Sequence, residues 1–384
     1  MESNHRETCG FYELGFDHAK HFFQLSVSYN IYLPHIPTSL MLKRPANEKL
    51  DDKLMQKLIN ANGISGNEEE VRKIIISEIK PYATSIKINK MGNLIVRKKG
   101  NGPKLMLTAH MDEIGLMVKS IDKYGKVFFS PIGGILPDVL LGERVHINGK
   151  KKSVFGVITC DQLSNDEEID KQIEMQEMYI DTGYWKLKLK KLGVEVGNYI
   201  NFEPMASCAC HKKMLFGKAL DDRIGCYALI QLIKKIKKSP YDLYFVFTVQ
   251  EEIGAYGSKS SVWDVNPDLA IVVDITTAQD NVEDSTKILG NGPVLTIKDE
   301  EIISDKKLTN WLKNVAKKTK TPLQLEVTDI GATDALGISV YKTGVPTTII
   351  GVPIRNIHST FSVAHPRDIN SLIKILTSAI KQKM

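Results

Sequence analysis

Four short apolar runs constrain this chain more than any other feature: KLMLTAH (104–110), LYFVFTV (243–249), LAIVVDI (269–275) and PTTIIGV (346–352). Segments of this length with apolar residues on both faces read as strands buried from both sides. Helical periods follow them in CYALIQLIKKI (226–236), LTNWLKNVAKKT (308–319) and DINSLIKILTSAI (368–380). Strands separated by helices imply an α/β fold, a mixed and largely parallel sheet sandwiched by helices.

The opening and the middle of the chain depart from that rhythm. Residues 48–83 read as two helices around a Gly-Ile-Ser-Gly-Asn turn, the second starting near an Asn67 cap with Val71, Ile74, Ile75 and Ile79 on one face. Short strands are expected at SIKINK (85–90) and NLIVRKK (93–99). From 118 to 207 come short strand-like runs, KVFFSPIG, ERVHING and VFGVITC, with glycine-rich turns and no long apolar helix. The expected organisation is an α/β domain in two parts, 49–117 and 208–384, split by a small inserted β domain at 118–207. Residues 1–48 hold four of the nine histidines and no sustained period, and read as a poorly ordered extension. They lack the apolar core of a secretory signal and the arginines of a mitochondrial presequence. His18 and His21 stand at helical spacing but read as incidental surface histidines.

Composition removes several function classes. With 42% apolar and 25% charged residues the chain is not disordered throughout. Its net charge of +6 comes from lysines spread along the sequence, as in KKIKK (234–238) and KLKLKK (186–191), without aromatic interleaving. These read as solvated helix faces, so no nucleic-acid partner is expected. No stretch approaches the roughly 18 apolar residues of a membrane span. Five cysteines are too few and too irregular for a disulfide framework, and Cys208, Cys210 and His211 in SCACHKK lack the paired spacing of a zinc site. Free thiols point to a reducing, cytoplasmic compartment.

Polar groups interrupt the apolar runs at their ends. His110, Asp112 and Glu113 close the first run, and Asp221 and Asp222 precede a helix. Glu251 and Glu252 follow the second run, Asp274 ends the third and His358 lies beyond the fourth. Each has a bland reading alone. Together they fall on the rim where strand C-termini form ligand sites. Asp112, Asp221, Glu251, Glu252 and Asp274 crowd negative charge that two divalent cations nearly neutralise. His110 would then be a metal ligand, with Asp112 two residues on along the strand accepting the other ring N–H. Oxygen-rich ligation with an imidazole per metal suits zinc, cobalt or manganese.

In this order, H-x-D, G-x-A-x-D-D-R-x-G, E-E-x-G-x-x-G, V-x-D and R-x-I-H-S resemble the M42 family of dinuclear metallo-aminopeptidases, the tetrahedral aminopeptidases of the MH clan. The resemblance spans about residues 49–384. It implies that His110 and Glu252 bind one or other metal, that Asp221 bridges both, and that Asp274 and His358 complete the coordination. It also implies Glu251 as general base, Asp112 as orienter of His110, a cis Asp221–Asp222 peptide bond with Asp222 turned away to hold the following helix, and Thr333 and Asp334 of GATDALG near the substrate. The resemblance further implies that the two-part α/β domain, 49–117 and 208–384, is the catalytic domain, that the insert at 118–207 is a small β-barrel serving as lid or oligomerisation module, and that the chain self-associates from dimer to dodecamer.

The reaction so implied is hydrolysis of the N-terminal bond of peptides with a free N-terminus, by a two-metal-activated water with Glu251 taking its proton. A metal-dependent deacylase or amidase acting on non-peptide amides shares the same chemistry. A glycosidase is the weaker alternative, because the adjacent Glu251 and Glu252 cannot readily flank one glycosidic bond and His110 and His358 would have no role.

Overall fold

The apolar runs form the centre of a mixed sheet in the computed structural model, which describes residues 50–165, 168–169, 172–204, 214–280 and 287–384. The expected extension at 1–48 and the Cys208, Cys210 and His211 cluster lie outside the described residues. In spatial order the strands are Ser85–Ile88, Leu94–Lys98, Asp242–Thr248, Lys104–His110, Leu269–Thr277, Thr347–Arg355, Val294–Lys298 and Gln324–Val327. Ser362–Ala364 branches from Thr347–Arg355 and pairs in turn with Leu215–Gly217. The central four, Asp242–Thr248 to Thr347–Arg355, run parallel. Leu94–Lys98 runs antiparallel to both of its neighbours, and Val294–Lys298 runs antiparallel to Thr347–Arg355 but parallel to Gln324–Val327, which makes the sheet mixed.

Side-chain alternation sorts the strands between two cores. Leu105, Leu107 and Ala109 join Phe245, Phe247, Ile271 and Val273 in the larger one. Met106, Val246, Ala270 and Val272 belong to the smaller core on the other face. The larger core is closed by helix Leu220–Lys235, packed among Asp52–Asn60, Glu69–Ile79 and Pro366–Ala379. Helices Tyr256–Val265 and Ala335–Ser339 cover the smaller one. The helix expected to begin at an Asn67 cap starts instead at Glu69, with Glu68 as its N-cap. The Glu68 carboxylate turns back to accept the Gly66 N–H at 2.6 Å.

Six short strands close into a separate antiparallel barrel: Gly115–Ile121, Val127–Ile132, Tyr179–Asp181, Ser153–Thr159, Arg144–Asn148 and Tyr199–Phe202. Its interior is filled by Leu116, Val118, Val127, Val145, Ile147, Ile158, Ile180 and Ile200. The lysine-rich KLKLKK segment is a helix, Lys186–Leu192, that buries Leu189 and leaves its lysines exposed. Where the chain passes from sheet to barrel, Glu113 is buried but fully partnered. Lys218 Nζ donates to both of its oxygens at 2.8 and 2.7 Å, Arg223 at 3.1 Å and the Gly63 N–H at 3.1 Å. Of the three polar groups that close the first apolar run, this one belongs to a structural ion cluster.

Candidate metal centre

Register explains why His110 and Asp274 meet. In the parallel ladder Met106 pairs with Ala270 and Thr108 with Val272, so continuing the alternation puts His110 and Asp274 on one face of adjacent strands. His110 stands at the end of its strand, whereas Asp274, expected to end its run, lies inside Leu269–Thr277, which is extended to Thr277 by pairing with Thr347–Arg355. His110 Nε2 lies 3.9 Å from Asp274 Oδ1 and 3.0 Å from Asp221 Oδ1. The other Asp221 oxygen, Oδ2, lies 3.5 Å from His358 Nε2, which is also 3.4 Å from Glu252 Oε2. Asp221 therefore stands between two half-sites, His110 with Asp274 and His358 with Glu252.

The Asp221–Asp222 peptide bond is cis, in keeping with the resemblance. Asp222 Oδ1 accepts the Gly225 N–H at 2.9 Å and so holds the helix that follows, as expected. It is not wholly turned away, since one of its carboxylate oxygens comes within 4.8 Å of ligating atoms of His110 and Asp274. Asp222 Oδ2 is buried and has no hydrogen-bond partner.

Asp112 is oriented differently from the simplest expectation. His110 Nδ1 is closer to the Asp112 carbonyl oxygen, at 3.2 Å, than to its carboxylate, at 3.6 Å. The reason is competition: the carboxylate accepts Ser65 Oγ–H at 2.6 Å and the main-chain N–H groups of Glu251 and Glu252 at 3.0 and 3.2 Å. A proton on Nδ1 directed at Asp112 leaves the Nε2 lone pair facing Asp221 and Asp274, the form a metal ligand needs.

Crowding of buried acids sets the electrostatics. Burial and the neighbouring Asp221 charge push Glu252 up to about 8, and burial with Asp221 pushes Asp274 up to about 7. Burial, with Asp274, Asp334 and Glu252 close by, holds Glu251 well above the ordinary carboxylate range. Burial opposes charge on Asp221 too, but the two imidazoles outweigh it and keep this carboxyl well below its usual value. His358 rises to about 9 through its contact with Asp221 and the charge of Glu252. Burial would lower His110, yet Asp112 and Asp221 hold it well above the ordinary imidazole value. The centre thus attracts more positive charge than two imidazoles supply. That demand, together with oxygen and imidazole donors in two half-sites, fits divalent cations.

His110, Asp221, Glu251, Glu252, Asp274 and His358 all line one cavity of about 480 Å³, which also reaches Thr333 and the buried Lys287–Glu326 pair, 3.0 Å apart. Asp334 lies beneath it, its Oδ2 accepting a hydrogen bond from Thr248 Oγ. Barrel glycines form part of the surround. A Cβ on Gly134 would sit 3.1 Å from His358 Nδ1, and one on Gly133 would sit 3.3 Å from Glu252 Oε2. Ser65, Glu68, Gly133, Gly134 and the Lys287–Glu326 pair were not singled out by the sequence. The acids of GNEEEVR looked like ordinary first-turn residues, and Gly-Gly like a plain turn.

A family model described as M42 glutamyl aminopeptidase matches residues 92–375. The chain is 32% identical over 342 residues to the lysyl aminopeptidase of Pyrococcus furiosus, covering 87% of this chain and 97% of that one. The TET aminopeptidase of a marine sediment Thaumarchaeota archaeon superposes with a TM-score of 0.82 at 33% identity, over 86% of this chain and 96% of that one. The TET1 peptidase of Pyrococcus horikoshii, which can assemble into a tetrahedron or a large octahedral shell, gives a TM-score of 0.78 at 30% identity, over 86% and 99% of the two chains. Fold, site and likeness define a hydrolase of the exopeptidase class. The chain belongs to the M42 family of metal-dependent aminopeptidases.

Proposed function

We propose that this aminopeptidase removes the N-terminal residue from peptides with a free N-terminus, using two divalent cations held by His110, Asp221, Glu252, Asp274 and His358, with Glu251 as general base. The observation that carries this reading is the split of Asp221 between two imidazoles, Oδ1 toward His110 and Oδ2 toward His358. Cations held there would supply Lewis acidity for the scissile carbonyl and would make the attacking water more acidic. Glu251 takes the proton of the attacking water and delivers it to the leaving amine nitrogen, while the water oxygen ends in the carboxyl group of the released amino acid. Asp112 fixes the imidazole of His110 and the backbone of Glu251 and Glu252. Thr333 and the Lys287–Glu326 pair line the same cavity and are available to contact the substrate's first side chain.

Zinc or cobalt suits this donor set, with manganese also compatible. Self-association through the barrel, from dimers toward a dodecamer, is proposed by analogy with the P. horikoshii TET1 assemblies. Cytoplasmic location is proposed on the free, buried Cys160 and Cys226. Among the described residues no helix is long and apolar enough to cross a membrane.

The test compares aminoacyl p-nitroanilides with their N-acetylated forms, before and after chelation and metal readdition, alongside elemental analysis. The expected result is turnover of the free-amine substrates only, lost on chelation and restored with about two metal equivalents per chain, a count typical of paired-metal hydrolases. Release of acetate from the acetylated forms, leaving the aminoacyl p-nitroanilide intact, would point to a deacylase. Full activity with no metal would refute the metal mechanism.

A further inference from the structure

Gln250, Glu251 and Glu252 form a short stretch of irregular backbone between strand Asp242–Thr248 and helix Tyr256–Val265, and Gln250 has a left-handed φ of 55°. A non-glycine residue holds that conformation only where its surroundings enforce it. The enforcing contacts come from far away in sequence. Glu68 Oε1 accepts the Gln250 N–H at 3.3 Å, Asp112 Oδ1 accepts that of Glu251 at 3.0 Å, and Asp112 Oδ2 accepts that of Glu252 at 3.2 Å. Two carboxylates thus collect three consecutive main-chain donors.

Both carboxylates are governed by one turn, Ser65 to Glu68. Ser65 Oγ donates to Asp112 Oδ2 at 2.6 Å, and the Gly66 N–H donates to Glu68 Oε1 at 2.6 Å. Ser65, Glu68 and Asp112 are all buried. The turn itself is anchored to the chain beyond His110, since the Ser65 N–H donates to the Glu113 carbonyl at 3.3 Å. The barrel packs on it: a Cβ on Gly66 would lie 2.8 Å from the Tyr199 hydroxyl, so glycine at a φ of 87° is what fits there.

We infer that Ser65 and Glu68 are positioning residues for catalysis, clamping the Gln250–Glu252 backbone so that Glu251 and Glu252 present their carboxylates to the centre in fixed register. Neither touches the reacting atoms. Ser65 acts through Asp112, which without it loses its shortest hydrogen bond and can rotate between the His110 ring and the loop, loosening its hold on the Glu251 and Glu252 N–H groups. Glu68 acts directly on the residue ahead of the base. The inference rests on the functional reading above, in which Glu251 is the base and Glu252 a ligand.

The experiment measures kcat and KM on an aminoacyl p-nitroanilide with metal-loaded Ser65→Ala, Glu68→Ala and Glu68→Gln, together with amide hydrogen exchange of the segment containing residues 250–252. Loss of a group that orients a site residue typically costs roughly 10–100-fold. The expected result is a kcat drop of that size for Ser65→Ala and Glu68→Ala with KM little changed, and faster exchange at 250–252. Glu68→Gln, whose amide oxygen still accepts both N–H groups, should recover most of the loss. Unchanged kcat in the alanine variants, lost kcat with unchanged exchange, or a glutamine variant as impaired as the alanine one would each overturn the clamp. If Ser65→Ala does not fold, the Glu68 pair decides alone. Glu251→Gln serves as the control for the underlying reading: if it turns over normally, the assignment of the base fails, and the exchange data still judge the clamp.

Discussion

Glu252 Oε2 and His358 Nε2 approach to 3.4 Å, although one follows strand Asp242–Thr248 and the other strand Thr347–Arg355, with two further strands of the sheet between them. The adjacent Glu251 has no such imidazole contact among the described residues. On the proposed reading the two neighbouring glutamates do different work, and their substitution should separate metal binding from proton transfer. Glu251→Gln should keep both metals and bind substrate nearly normally while kcat falls by about 10²–10⁴-fold, the usual contribution of a general base. Glu252→Gln should lose affinity for one metal and regain activity at high metal concentration. Elemental analysis and kcat for the two variants check this, and metal loss confined to Glu251→Gln would reverse the roles.

The barrel should reach the centre through its glycines. Because a Cβ on Gly134 would come within 3.1 Å of His358 Nδ1, a larger side chain must displace the imidazole or the barrel loop. Gly134→Val should leave thermal unfolding of the chain nearly unchanged while weakening one metal and lowering kcat. Calorimetric metal titration measures the effect; two unaltered binding steps would mean that the loop simply yields.

Much of the centre could be read from the sequence because its residues sit where apolar strands stop. His110 closes such a run, Asp274 lies near the end of another, Glu252 and His358 follow two more, and a polar group at that point needs a partner, either a site or, as for Glu113, a buried ion cluster. The supports were hidden. Asp112 accepts hydrogen bonds from main-chain N–H groups of Glu251 and Glu252, and backbone donors leave no mark in an amino-acid sequence. Glu68 resembled any acidic residue at a helix start, and Asn67 looked the better cap. Strand Gln324–Val327 was missed for a related reason: it is only four residues long, and its buried member is the charged Glu326, whose Thr276, Thr296 and Lys287 partners come from elsewhere in the chain.

Acid should loosen the antiparallel side of the sheet at one identifiable pair. Arg97 on Leu94–Lys98 grips Asp242 on the adjoining strand with Nε at 3.0 Å from Oδ1 and an Nη at 2.7 Å from Oδ2. Burial alone would raise the Asp242 pKa, but the Arg97 contact and the Gly100 N–H hold it below the ordinary aspartate value. A carboxyl depressed in the folded state contributes stability above its unfolded pKa, near 3.9, and loses it as pH falls through the folded value. Chemical denaturation below about pH 4 should therefore show a smaller slope of stability against pH for Asp242→Asn than for the parent chain. Parallel slopes would mean the pair contributes nothing to acid sensitivity.

Glu113 should matter to stability more than to chemistry. Its carboxylate is 4% exposed and lies against two buried cations, Lys218 at 3% and Arg223 at 0% exposure. Burial lowers the Lys218 pKa, and the charge of Glu113 works against that fall. Replacing Glu113 with alanine leaves both cations in a low-dielectric interior without their anion, and breaking a buried pair by removing one member costs about 3–5 kcal/mol. Arg223 keeps hydrogen bonds to the carbonyls of Met111 and Leu58, so the loss should fall mainly on Lys218. Glu113→Ala should accordingly unfold at markedly lower denaturant, while Glu113→Ala combined with Lys218→Met, which removes one stranded charge and fills a similar volume, should recover part of the deficit. Urea titration of the three proteins decides it. A double variant no more stable than the single one would show that the penalty lies with Arg223 or with the vacated space rather than with the unpaired lysine.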